Sequence, residues 1–491
     1  MKYIVCFFIG SLYTLSFSPY NIQILSVVSI VTFLMLLDLD NIKDAIIKSS
    51  LFAFGYFLIG TYWLQNVISS YSDANNFLNI FFLSIFIIYL SLYFVLPIIF
   101  ACILKKKLGF DEGFILIILS VLITIFEIFR SLFFTGFSWF NFGQSGIATP
   151  FISFYPVIGV HGVTFLIFLI SVVILNIIKN SNKKFFLSIV IFLFVTHISI
   201  FSKDWTIEGN EKINISIIQP NNENKLSYTK NEIKERMDDL YTITLGLNNI
   251  APDIILWPEA VIPVPFNNIN KNYYDSIRKK ISNTSVLVAG SFFLDNNIYY
   301  NSIINISNPN NIYHKKHLVP FGEYLPFRNF LSRLYSYVNL SFQDITTGET
   351  PNNIKVGKFE AYASICYESI FSLSSLVKNS KSSFIINVSN DGWFGDSLAP
   401  YQHLDALRLR SIENQRYSIR AANSGISAVI SPSGDLLKNI PFQKKGVINA
   451  EIIERNGYTP LSQHGYKILY LFMFLIFLYS AIFFNRKAFK I

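Results

Sequence analysis

Three residues in the second half of the chain carry side chains that together could transfer an acyl group. Glu259 stands just after the apolar run 254–257, Lys315 lies in a polar stretch, and Cys366 follows the strand-like run 361–365. A thiol is a weak nucleophile unless a base or a cation lies beside it. A carboxylate can take the thiol proton and return it to a leaving group, and an ammonium can stabilise the oxyanion of a tetrahedral intermediate. The three residue types therefore predict acyl transfer through a thioester.

Each of these residues also has an ordinary interpretation when it is taken alone. Glu259 fits a solvated loop carboxylate, and Lys315 beside Glu323 fits a charged loop. A single cysteine is commonly a buried structural residue. The chain has three cysteines, and because Cys6 and Cys102 lie in apolar runs, the polar part of the chain cannot form an internal disulfide.

Motifs for other chemistry are missing from the sequence. There is no P-loop, no G-x-G-x-x-G and no G-x-S-x-G, so nucleotide chemistry and a serine nucleophile are not supported. His314 and His317 have no cysteine or carboxylate partner at the spacing of a zinc site. We therefore expect no metal.

The rest of the chain has the composition of a membrane protein. Of 491 residues, 52% are hydrophobic and 14% are charged, whereas an ordinary soluble domain carries about 25% charged residues. A membrane-spanning helix needs about 20 apolar residues. The apolar runs that approach or reach this length are 3–17, 22–37, 49–66, 77–103, 114–132, 155–178, 185–202 and 468–484. We expect a polytopic α-helical membrane protein with about eight transmembrane helices.

Positive charges between these runs indicate the orientation of the chain. Lysine and arginine residues collect before the first run, after the second, fourth and sixth runs, and after the eighth. Such residues accumulate on the cytoplasmic side of a membrane. Both termini should therefore face the cytoplasm, and the long segment between the seventh and eighth runs should face outward.

The long outward segment has a different composition. Residues 205–466 hold 25 Lys and Arg against 23 Asp and Glu, a balance of +2, whereas the whole chain carries +9. The basic charge is thus mainly a feature of the membrane part, and we expect no nucleic-acid binding. Strand-like and helix-like patterns alternate in the segment, which predicts an α/β domain. The expected strands are 213–218, 254–257, 285–289, 302–306, 361–365, 384–388 and 428–430, and the expected helices are 231–246 and 403–421.

Seven short stretches along the chain resemble, in the same order, those of the bacterial apolipoprotein N-acyltransferases, whose catalytic domain is of the carbon–nitrogen hydrolase (nitrilase) type. They are FSPY at 17–20, TGFSW at 135–139, IQPN at 218–221, WPEA at 257–260, HLVPFGE at 317–323, CYE at 366–368 and SNDGWFG at 389–395. One stretch alone would be a weak signal, but seven in order together with a matching topology are specific.

The resemblance implies a fold for the outer domain, the αββα sandwich of the nitrilases. It also implies a division of the chain into three parts. Residues 1–203 would be a transmembrane helical domain of about seven spans, and 204–466 would be the extracytoplasmic catalytic domain. Residues 467–491 would be a C-terminal transmembrane helix and a cytoplasmic tail.

The roles of individual residues follow from the resemblance, position by position. Glu259 matches the general base, Lys315 the catalytic lysine and Cys366 the nucleophile. Glu323, Tyr367 and Glu368 match supporting residues, and Trp393 and Tyr228 match substrate-binding positions. Tyr228 stands where the family has a tryptophan that helps to hold lipid, which is the one departure from the pattern.

The resemblance further implies a reaction and its partners. Cys366 would take an acyl chain from a membrane phospholipid and pass it to the α-amine of an S-diacylglyceryl cysteine at the N-terminus of an apolipoprotein, the last step of lipoprotein maturation. It implies no metal or diffusible cofactor, and we expect a monomer. The expected location is the bacterial inner (cytoplasmic) membrane, with the catalytic domain on the periplasmic face.

Two other functions remain open from the residues themselves. A membrane-anchored amidase or nitrilase would use the same three residues and pass the acyl group to water. A transporter with an accessory outer domain would show paired repeats among its spans, and none is visible in the sequence. The apolar stretches 261–266 and 324–337 fit either an entry loop for acyl chains or core packing.

Overall fold

The computed structural model describes residues 2–71, 76–330, 344–349, 351–378 and 381–488. The chain divides into two compact units. The first comprises Met1–Gln65, Phe77–Lys203 and His464–Ile491, and the second comprises Asn66–Asn76 and Asp204–Gln463. The sequence prediction placed its boundaries at 203/204 and 466/467 and did not anticipate that 66–76 would group with the second unit.

Helices make up most of the first unit and part of the second. The helices, in chain order, are α1 Lys2–Tyr13, α2 Ile24–Leu36, α3 Ile42–Thr61, α4 Leu64–Tyr71, α5 Asn76–Leu108, α6 Glu112–Arg130, α7 Tyr155–Ile178, α8 Lys183–Ile200, α9 Lys230–Leu245, α10 Lys271–Lys280, α11 Ala399–Asn414, α12 Pro460–His464 and α13 Lys467–Ala488.

All eight apolar runs predicted from the sequence are helical, but not all are long enough to span a membrane. Five helical segments are both long and apolar enough within the described residues, namely α5, α6, Pro150–Ile178, α8 and Lys467–Phe484. The pair α3 and α4 qualifies as a sixth only if the two helices count as one span bent by 57°. The first two apolar helices, Lys2–Ser16 and Ile24–Leu36, are shorter. The first run ends before Pro19, which cannot continue a helix, and the second ends before the acidic Asp38.

Close packing of α1 on α3 depends on two glycines. A Cβ atom on Gly10 would lie 2.0 Å from the carbonyl oxygen of Phe52, and one on Gly55 would lie 2.3 Å from that of Phe7. Small residues at such crossings let the two helix backbones approach, which is how helices associate in lipid.

A buried ion pair anchors an irregular segment within the first unit. Glu127 and Arg130, one turn apart on α6, are 3.7 Å apart and 4% and 2% exposed. Glu127 accepts a hydrogen bond from the backbone N–H of Phe142 at 2.7 Å, and Arg130 donates to the carbonyl of Trp139 at 2.8 Å. Irregular backbone at membrane depth needs such partners because water is absent there. The pair is thus structural, as its i,i+3 spacing near a helix end indicates.

The second unit contains two six-stranded sheets. Their strands, in chain order, are β1 Thr206–Gln219, β2 Ile254–Trp257, β3 Val286–Asp295, β4 Ile298–Asn305, β5 Ile312–His314, β6 Asn353–Val356, β7 Phe359–Ile365, β8 Phe384–Ser389, β9 Ser418–Ala422, β10 Ser427–Ile430, β11 Leu436–Ile440 and β12 Gly446–Gly457. The first sheet has the order β12-β1-β2-β3-β4-β5, and the second has β11-β10-β9-β8-β7-β6. The central pairs β1–β2–β3 and β7–β8–β9 are parallel.

The two sheets pack face to face, and helices cover their outer faces. Side chains alternate along each strand, so Leu256 of β2 faces the core between the sheets while Trp257 faces α9 and α10. On the other sheet, Leu404 and Leu407 of α11 pack against β7, β8 and β10. The layers are therefore helix, sheet, sheet, helix, and the predicted αββα sandwich is confirmed.

One predicted helix was wrong in its extent. The apolar spacing predicted a helix over 403–421, but α11 ends at Asn414 and the chain then turns into β9. Gln415 ends the helix with a left-handed φ of +44°. The residues of β9 are all buried, and a short, fully buried strand cannot be distinguished from the continuation of a helix by periodicity.

Candidate active site

A buried cluster of charges joins Glu259, Lys315 and Glu323. Lys315 Nζ lies 2.8 Å from Glu323 Oε1 and 3.6 Å from Glu259 Oε1. The lysine side chain is 1% exposed, and the two carboxylates are 12% and 8% exposed. One ammonium thus faces two carboxylates away from bulk water, where electrostatic interactions are stronger than at a surface.

Asn301 holds the members of this cluster at fixed positions. Its Nδ2 donates to Glu259 Oε1 at 2.7 Å and to Glu323 Oε1 at 2.9 Å, and its backbone carbonyl accepts from the N–H of Lys315 at 2.8 Å. The residue is 2% exposed, and its Oδ1 has no partner among the described residues. Asn301 is absent from the predicted site residues, and it stands just before the predicted strand 302–306, although the observed strand β4 includes it.

Three strands deliver the residues of the predicted triad. Glu259 follows the end of β2, Lys315 follows β5 directly, and Cys366 follows β7 directly. The β2 and β7 strands each have parallel neighbours, and functional groups gather at the carboxyl ends of such strands. The sandwich then brings groups from its two sheets together.

The backbone at Glu259 is in contact with strand β3 at Gly290. A Cβ atom on Gly290 would lie 2.5 Å from Glu259 Cα and 2.6 Å from the carbonyl oxygen of Pro258. Both distances are shorter than van der Waals contact, so any larger residue would push Glu259 away from its present position. The glycine is required here by the close approach of the two chains.

Cys366 lies at a sharp turn between β7 and a short 3-10 helix, Cys366–Ile370. Its φ is +46°, a left-handed conformation that costs a non-glycine residue about 1 kcal/mol or more. Strand-to-helix turns of this kind present nucleophiles in hydrolases. The thiol lies close enough to the side chains of Glu259 and Ser389 for each of them to influence its protonation. The predicted base and the predicted nucleophile are therefore neighbours.

Burial and charge together determine where the protons lie. Burial, followed by the Glu259 carboxylate, raises the pKa of the Cys366 thiol, although Lys315 opposes this shift. Burial also raises the pKa of Glu259, again against Lys315. For Lys315, burial alone would lower the pKa, but the carboxylates of Glu323 and Glu259 outweigh it, so the pKa is raised. The site at rest thus holds a neutral thiol, an ammonium and a carboxylate with increased affinity for a proton.

Glu368 supports the turn through its backbone contacts. Its Oε1 accepts from the hydroxyl of Tyr313 at 2.8 Å and from the N–H groups of Lys316 at 2.8 Å and His317 at 3.1 Å. Its Oε2 accepts from the N–H of Ile365 at 2.7 Å. Burial raises the pKa of Glu368, although these hydrogen bonds oppose the shift. The carboxylate therefore ties the segment that carries Lys315 to the turn that carries Cys366.

The remaining predicted residues lie on the segments around this site. Tyr367 is buried directly after the nucleophile. Trp393 is half-buried in the turn that follows β8, and Tyr228 is half-buried on the loop after β1. The loop of Tyr228 and the turn of Trp393 are joined by a hydrogen bond from Asn224 Nδ2 to Asn390 Oδ1 at 3.0 Å.

A fully buried polar network contacts the backbone of the nucleophile. His403 Nε2 lies 3.0 Å from the carbonyl oxygen of Cys366, and His403 Nδ1 lies 2.9 Å from Asp391 Oδ1. Arg420 Nη2 donates to Asp391 Oδ2 at 2.7 Å. Burial would raise the pKa of Asp391, but Arg420 and His403 outweigh it and lower that pKa. Burial lowers the pKa of His403, as does Arg420. His403 and Arg420 are not among the site residues predicted from the sequence.

Within the described residues, one group of side chains has the spacing of a metal site. Ligand atoms of Cys366, Asp391 and His403 lie within 4.8 Å of one another. However, Asp391 already bonds to His403, to Ser389 and to the cation of Arg420. Arg420 would repel a metal ion at that position, so the group fits a hydrogen-bond network better than a cation site.

The two apolar stretches 261–266 and 324–337 differ in how far their side chains are buried. Within 261–266, Val261 and Ile262 are buried in the core of the first sheet. Within 324–337, only 324–330 lie inside the described residues, and there Phe327 is 65% and Phe330 87% exposed. Core packing thus accounts for the first stretch, whereas the described part of the second presents aromatic rings to its surroundings.

Both parts of the chain match known protein families. Residues 9–173 match the apolipoprotein N-acyltransferase N-terminal domain, and residues 215–456 match the carbon–nitrogen hydrolase family. Among solved structures, a CN-hydrolase superfamily protein from Xanthomonas campestris is similar at 15% identity and a TM-score of 0.37. That similarity covers 49% of this chain and 91% of the other.

Two relatives that match along nearly their whole length are both apolipoprotein N-acyltransferases. The chain is 33% identical to an apolipoprotein N-acyltransferase from Wigglesworthia glossinidia brevipalpis over 98% of this chain and 97% of the relative. It is 30% identical to one from Haemophilus influenzae over 100% of this chain and 96% of the relative. The chain therefore belongs to the apolipoprotein N-acyltransferase family.

Proposed function

We propose that this protein transfers an acyl chain from a membrane phospholipid to the α-amine of an S-diacylglyceryl cysteine at the N-terminus of an apolipoprotein. Cys366 carries the chain as a thioester between two half-reactions, so the mechanism is ping-pong. The observation that carries the proposal is a buried carboxylate of raised pKa, 3.6 Å from an ammonium, with a thiol near enough for the two charges to influence its pKa. Membership of the family supports the choice of substrates.

In the first half-reaction Glu259 acts as the general base. It takes the proton from Cys366 as the sulfur attacks the ester carbonyl carbon of the phospholipid. Negative charge develops on the carbonyl oxygen, where the Lys315 ammonium and the backbone N–H of Tyr367 stabilise it. The ester C–O bond then breaks, and the protonated Glu259 gives its proton to the oxygen of the departing lysophospholipid.

In the second half-reaction the α-amine of the apolipoprotein attacks the thioester carbonyl. Glu259 accepts a proton from the attacking nitrogen, and the same two donors stabilise the oxyanion. The C–S bond breaks, the sulfur regains a proton from Glu259, and the N-acylated lipoprotein leaves. Atoms and charges balance without a metal or a diffusible cofactor.

The raised pKa values of Glu259 and Cys366 suit this sequence of proton transfers. A thiol of raised pKa keeps its proton until a substrate arrives, and a carboxylate of raised pKa accepts that proton more readily. We propose that Glu323 and Glu368 act in support. Glu323 holds the Lys315 ammonium, and Glu368 holds the two catalytic segments together.

We propose that Trp393 and Tyr228 contact the substrates, whereas Tyr367 acts in support beside the nucleophile. The hydrogen bond between the segments of Trp393 and Tyr228 supports this role because it brings the two segments together. A substrate contact predicts that Trp393→Ala and Tyr228→Ala raise KM for phospholipid more than they lower kcat. A fall in kcat at unchanged KM for both variants would contradict the role.

We propose that the protein lies in the bacterial inner membrane with 204–466 as its catalytic domain on the periplasmic face. The lysine-rich connections between the apolar helices support this orientation. Leu436→Cys, at an exposed position of the second unit, should react with a membrane-impermeant maleimide on intact spheroplasts. Lys107→Cys, after α5, should react only after lysis. The reverse pattern would contradict the orientation.

The transfer itself is tested with the purified protein in detergent, phospholipid and a synthetic diacylated lipopeptide. We expect N-acylated lipopeptide and lysophospholipid in equal amounts, measured by mass spectrometry. Without the lipopeptide, Cys366 should gain the mass of one acyl chain. Release of free fatty acid with no N-acylated lipopeptide would instead indicate the hydrolase that uses the same residues.

A further inference from the structure

The carbonyl oxygen of the nucleophile accepts two side-chain hydrogen bonds. His403 Nε2 lies 3.0 Å from this oxygen, and Ser369 Oγ also lies 3.0 Å from it. A carbonyl oxygen can only accept, so His403 carries a proton on Nε2 whichever state its Nδ1 is in. His403 and Ser369 are both 0% exposed, and neither is among the residues that form or break bonds in the proposed reaction.

The direction of this carbonyl also determines the direction of the next backbone N–H. The peptide unit between Cys366 and Tyr367 is planar and trans, so its C=O and its N–H point in opposite directions. A donor that holds the carbonyl oxygen on one side therefore aims the N–H of Tyr367 to the other side. That N–H is one of the two oxyanion donors in the proposed function, on which this inference rests.

We propose that His403 is a positioning residue that fixes the peptide unit after Cys366 and so aims the N–H of Tyr367 at the developing oxyanion. The peptide unit needs this hydrogen bond because Cys366 has a left-handed φ of +46°. A non-glycine residue leaves this region readily unless the surroundings over-determine it. Rotation of the peptide unit would leave the thiol in place but misdirect the oxyanion donor.

The surroundings of His403 keep its ring in a fixed orientation. Its Nδ1 lies 2.9 Å from Asp391 Oδ1 and 3.1 Å from Arg420 Nη2. Arg420 is itself held by Asn387, through a 2.5 Å hydrogen bond from Nη1 to Oδ1, and by Asp391. The chain of contacts runs from strand β9 through the turn after β8 to helix α11 and ends at the nucleophile. It therefore connects three elements of the second sheet layer to one peptide unit.

Two reactions of the same sulfur separate positioning from activation. Alkylation of Cys366 by iodoacetamide forms a C–S bond and expels iodide, with no oxyanion, whereas acylation by a phospholipid or a p-nitrophenyl ester passes through one. The full-length protein in detergent is treated with each reagent, and modification of the Cys366 peptide is followed by mass spectrometry. The variants are His403→Met, which keeps volume without a donor, and His403→Gln, whose amide can donate as Nε2 does.

We expect His403→Met to slow acylation by about 10- to 100-fold, somewhat less than outright loss of an oxyanion donor. Alkylation should stay within about threefold of wild type because it depends on the thiolate alone. His403→Gln should recover most of the acylation rate. Ser369→Ala perturbs the same carbonyl more mildly and takes the place of His403→Met should that variant fail to fold. His464→Met, at an exposed histidine, is the matched control and should behave as wild type.

Several results would overturn the positioning role. These are an equal loss of both reactions, wild-type acylation by His403→Met, or no recovery in His403→Gln. If wild-type Cys366 is alkylated but never acylated, the proposed function fails first and this inference with it. A wild-type enzyme that acylates, together with a His403→Met variant that acylates equally well, overturns the positioning role alone.

Discussion

Each unit of this molecule buries a carboxylate beside a cation, and only the first of the two clusters bonds through these side chains to the backbone of an irregular segment. In the first unit the pair holds backbone of an irregular segment, since Glu127 accepts from the N–H of Phe142 and Arg130 donates to two backbone carbonyls. Glu127 also accepts from the hydroxyl of Thr164 and lies 3.1 Å from His161 Nδ1. In the second unit Glu259 and Lys315 bond to the side chains of Asn301 and Glu323 and have the Cys366 thiol as a neighbour.

The difference teaches that burial of charge alone does not identify a catalytic site. Glu127 is engaged at both oxygens, by a backbone N–H, a hydroxyl, a histidine ring and the Arg130 guanidinium, so it holds a segment in place. Glu259 has one side-chain amide, one ammonium at 3.6 Å and a thiol as its partners, and its pKa is raised by burial. It can therefore exchange a proton with a neighbour that reacts.

The largest expected effect comes from removing the nucleophile. Cys366→Ser should abolish the thioacyl enzyme and lower acyl transfer by at least about 10⁴-fold, since removal of a nucleophile from a catalytic set removes most of its effect. Serine keeps the size of the residue but has a much higher pKa, so Glu259 cannot deprotonate it. The measurement is the mass of the residue-366 peptide after exposure to phospholipid. An acyl chain trapped on this variant at wild-type levels would contradict the mechanism.

The second-largest expected effect comes from removing the general base, Glu259. Glu259→Gln keeps the shape of the side chain but cannot take a proton, and we expect acylation to fall by about 10²- to 10⁴-fold. Because burial raises the pKa of Glu259, the wild-type carboxyl remains protonated at pH values where an ordinary glutamic acid has ionised. The acylation rate should therefore rise with pH through a value above about 4.3 and fall on the acidic side.

The pH profile of Glu259→Gln provides the control for this assignment. The acidic limb should disappear in that variant, and the residual rate should be flat across the same range. Glu211→Gln, at a surface carboxylate that pairs with Lys358, should leave the profile unchanged. An acidic limb that persists in Glu259→Gln would assign the titration to another group and would remove Glu259 as the base.

Much of the catalytic cluster could be predicted because each member stands in a recognisable local context. Glu259 and Cys366 directly follow apolar strands, and the functional groups of α/β sheets gather at such ends. The apolar composition of 254–257 and 361–365 placed Glu259 and Cys366 after strands. The resemblance to the family then joined them with Lys315 as one catalytic set.

Asn301 and His403 could not be predicted for a physical reason. Asn301 meets Glu259 across 42 positions of sequence, and His403 meets Cys366 across 37. Asn301 lies inside strand β4 and His403 inside helix α11. In such elements a polar residue is normally interpreted as facing solvent or as a structural residue of the core. Their roles exist only once the two sheets have packed. The same limit applies to β9, a short and fully buried strand that apolar spacing did not separate from α11.

The third prediction tests the structural cluster of the first unit. Glu127→Gln leaves the Arg130 guanidinium buried without a counter-charge, and breaking such a pair costs about 3–5 kcal/mol. We expect a large fall in thermal stability in detergent, while the molecules that remain folded still alkylate and acylate Cys366 at rates near wild type. Glu112→Gln, on the same helix but paired with Lys179 at an exposed position, should cost under about 1 kcal/mol. Loss of acylation without loss of stability in Glu127→Gln would overturn the distinction between the two clusters.

The smallest expected effect tests whether Glu368, although it lies in the catalytic unit, belongs with Glu127. Glu368 accepts from three backbone N–H groups, which is the bonding pattern of an anchor. Tyr313→Phe removes only the fourth donor, a 2.8 Å hydroxyl contact, and should lower the free energy of unfolding by about 1–3 kcal/mol, the value of a hydrogen bond to a charged group. Acylation per folded molecule should change by less than about tenfold because the remaining contacts still hold the segments of Lys315 and Cys366 together. If Tyr313→Phe instead left stability intact and shifted the acidic limb of the pH profile, Glu368 would take part in the proton transfers, and its role would be closer to that of Glu259 than to that of Glu127.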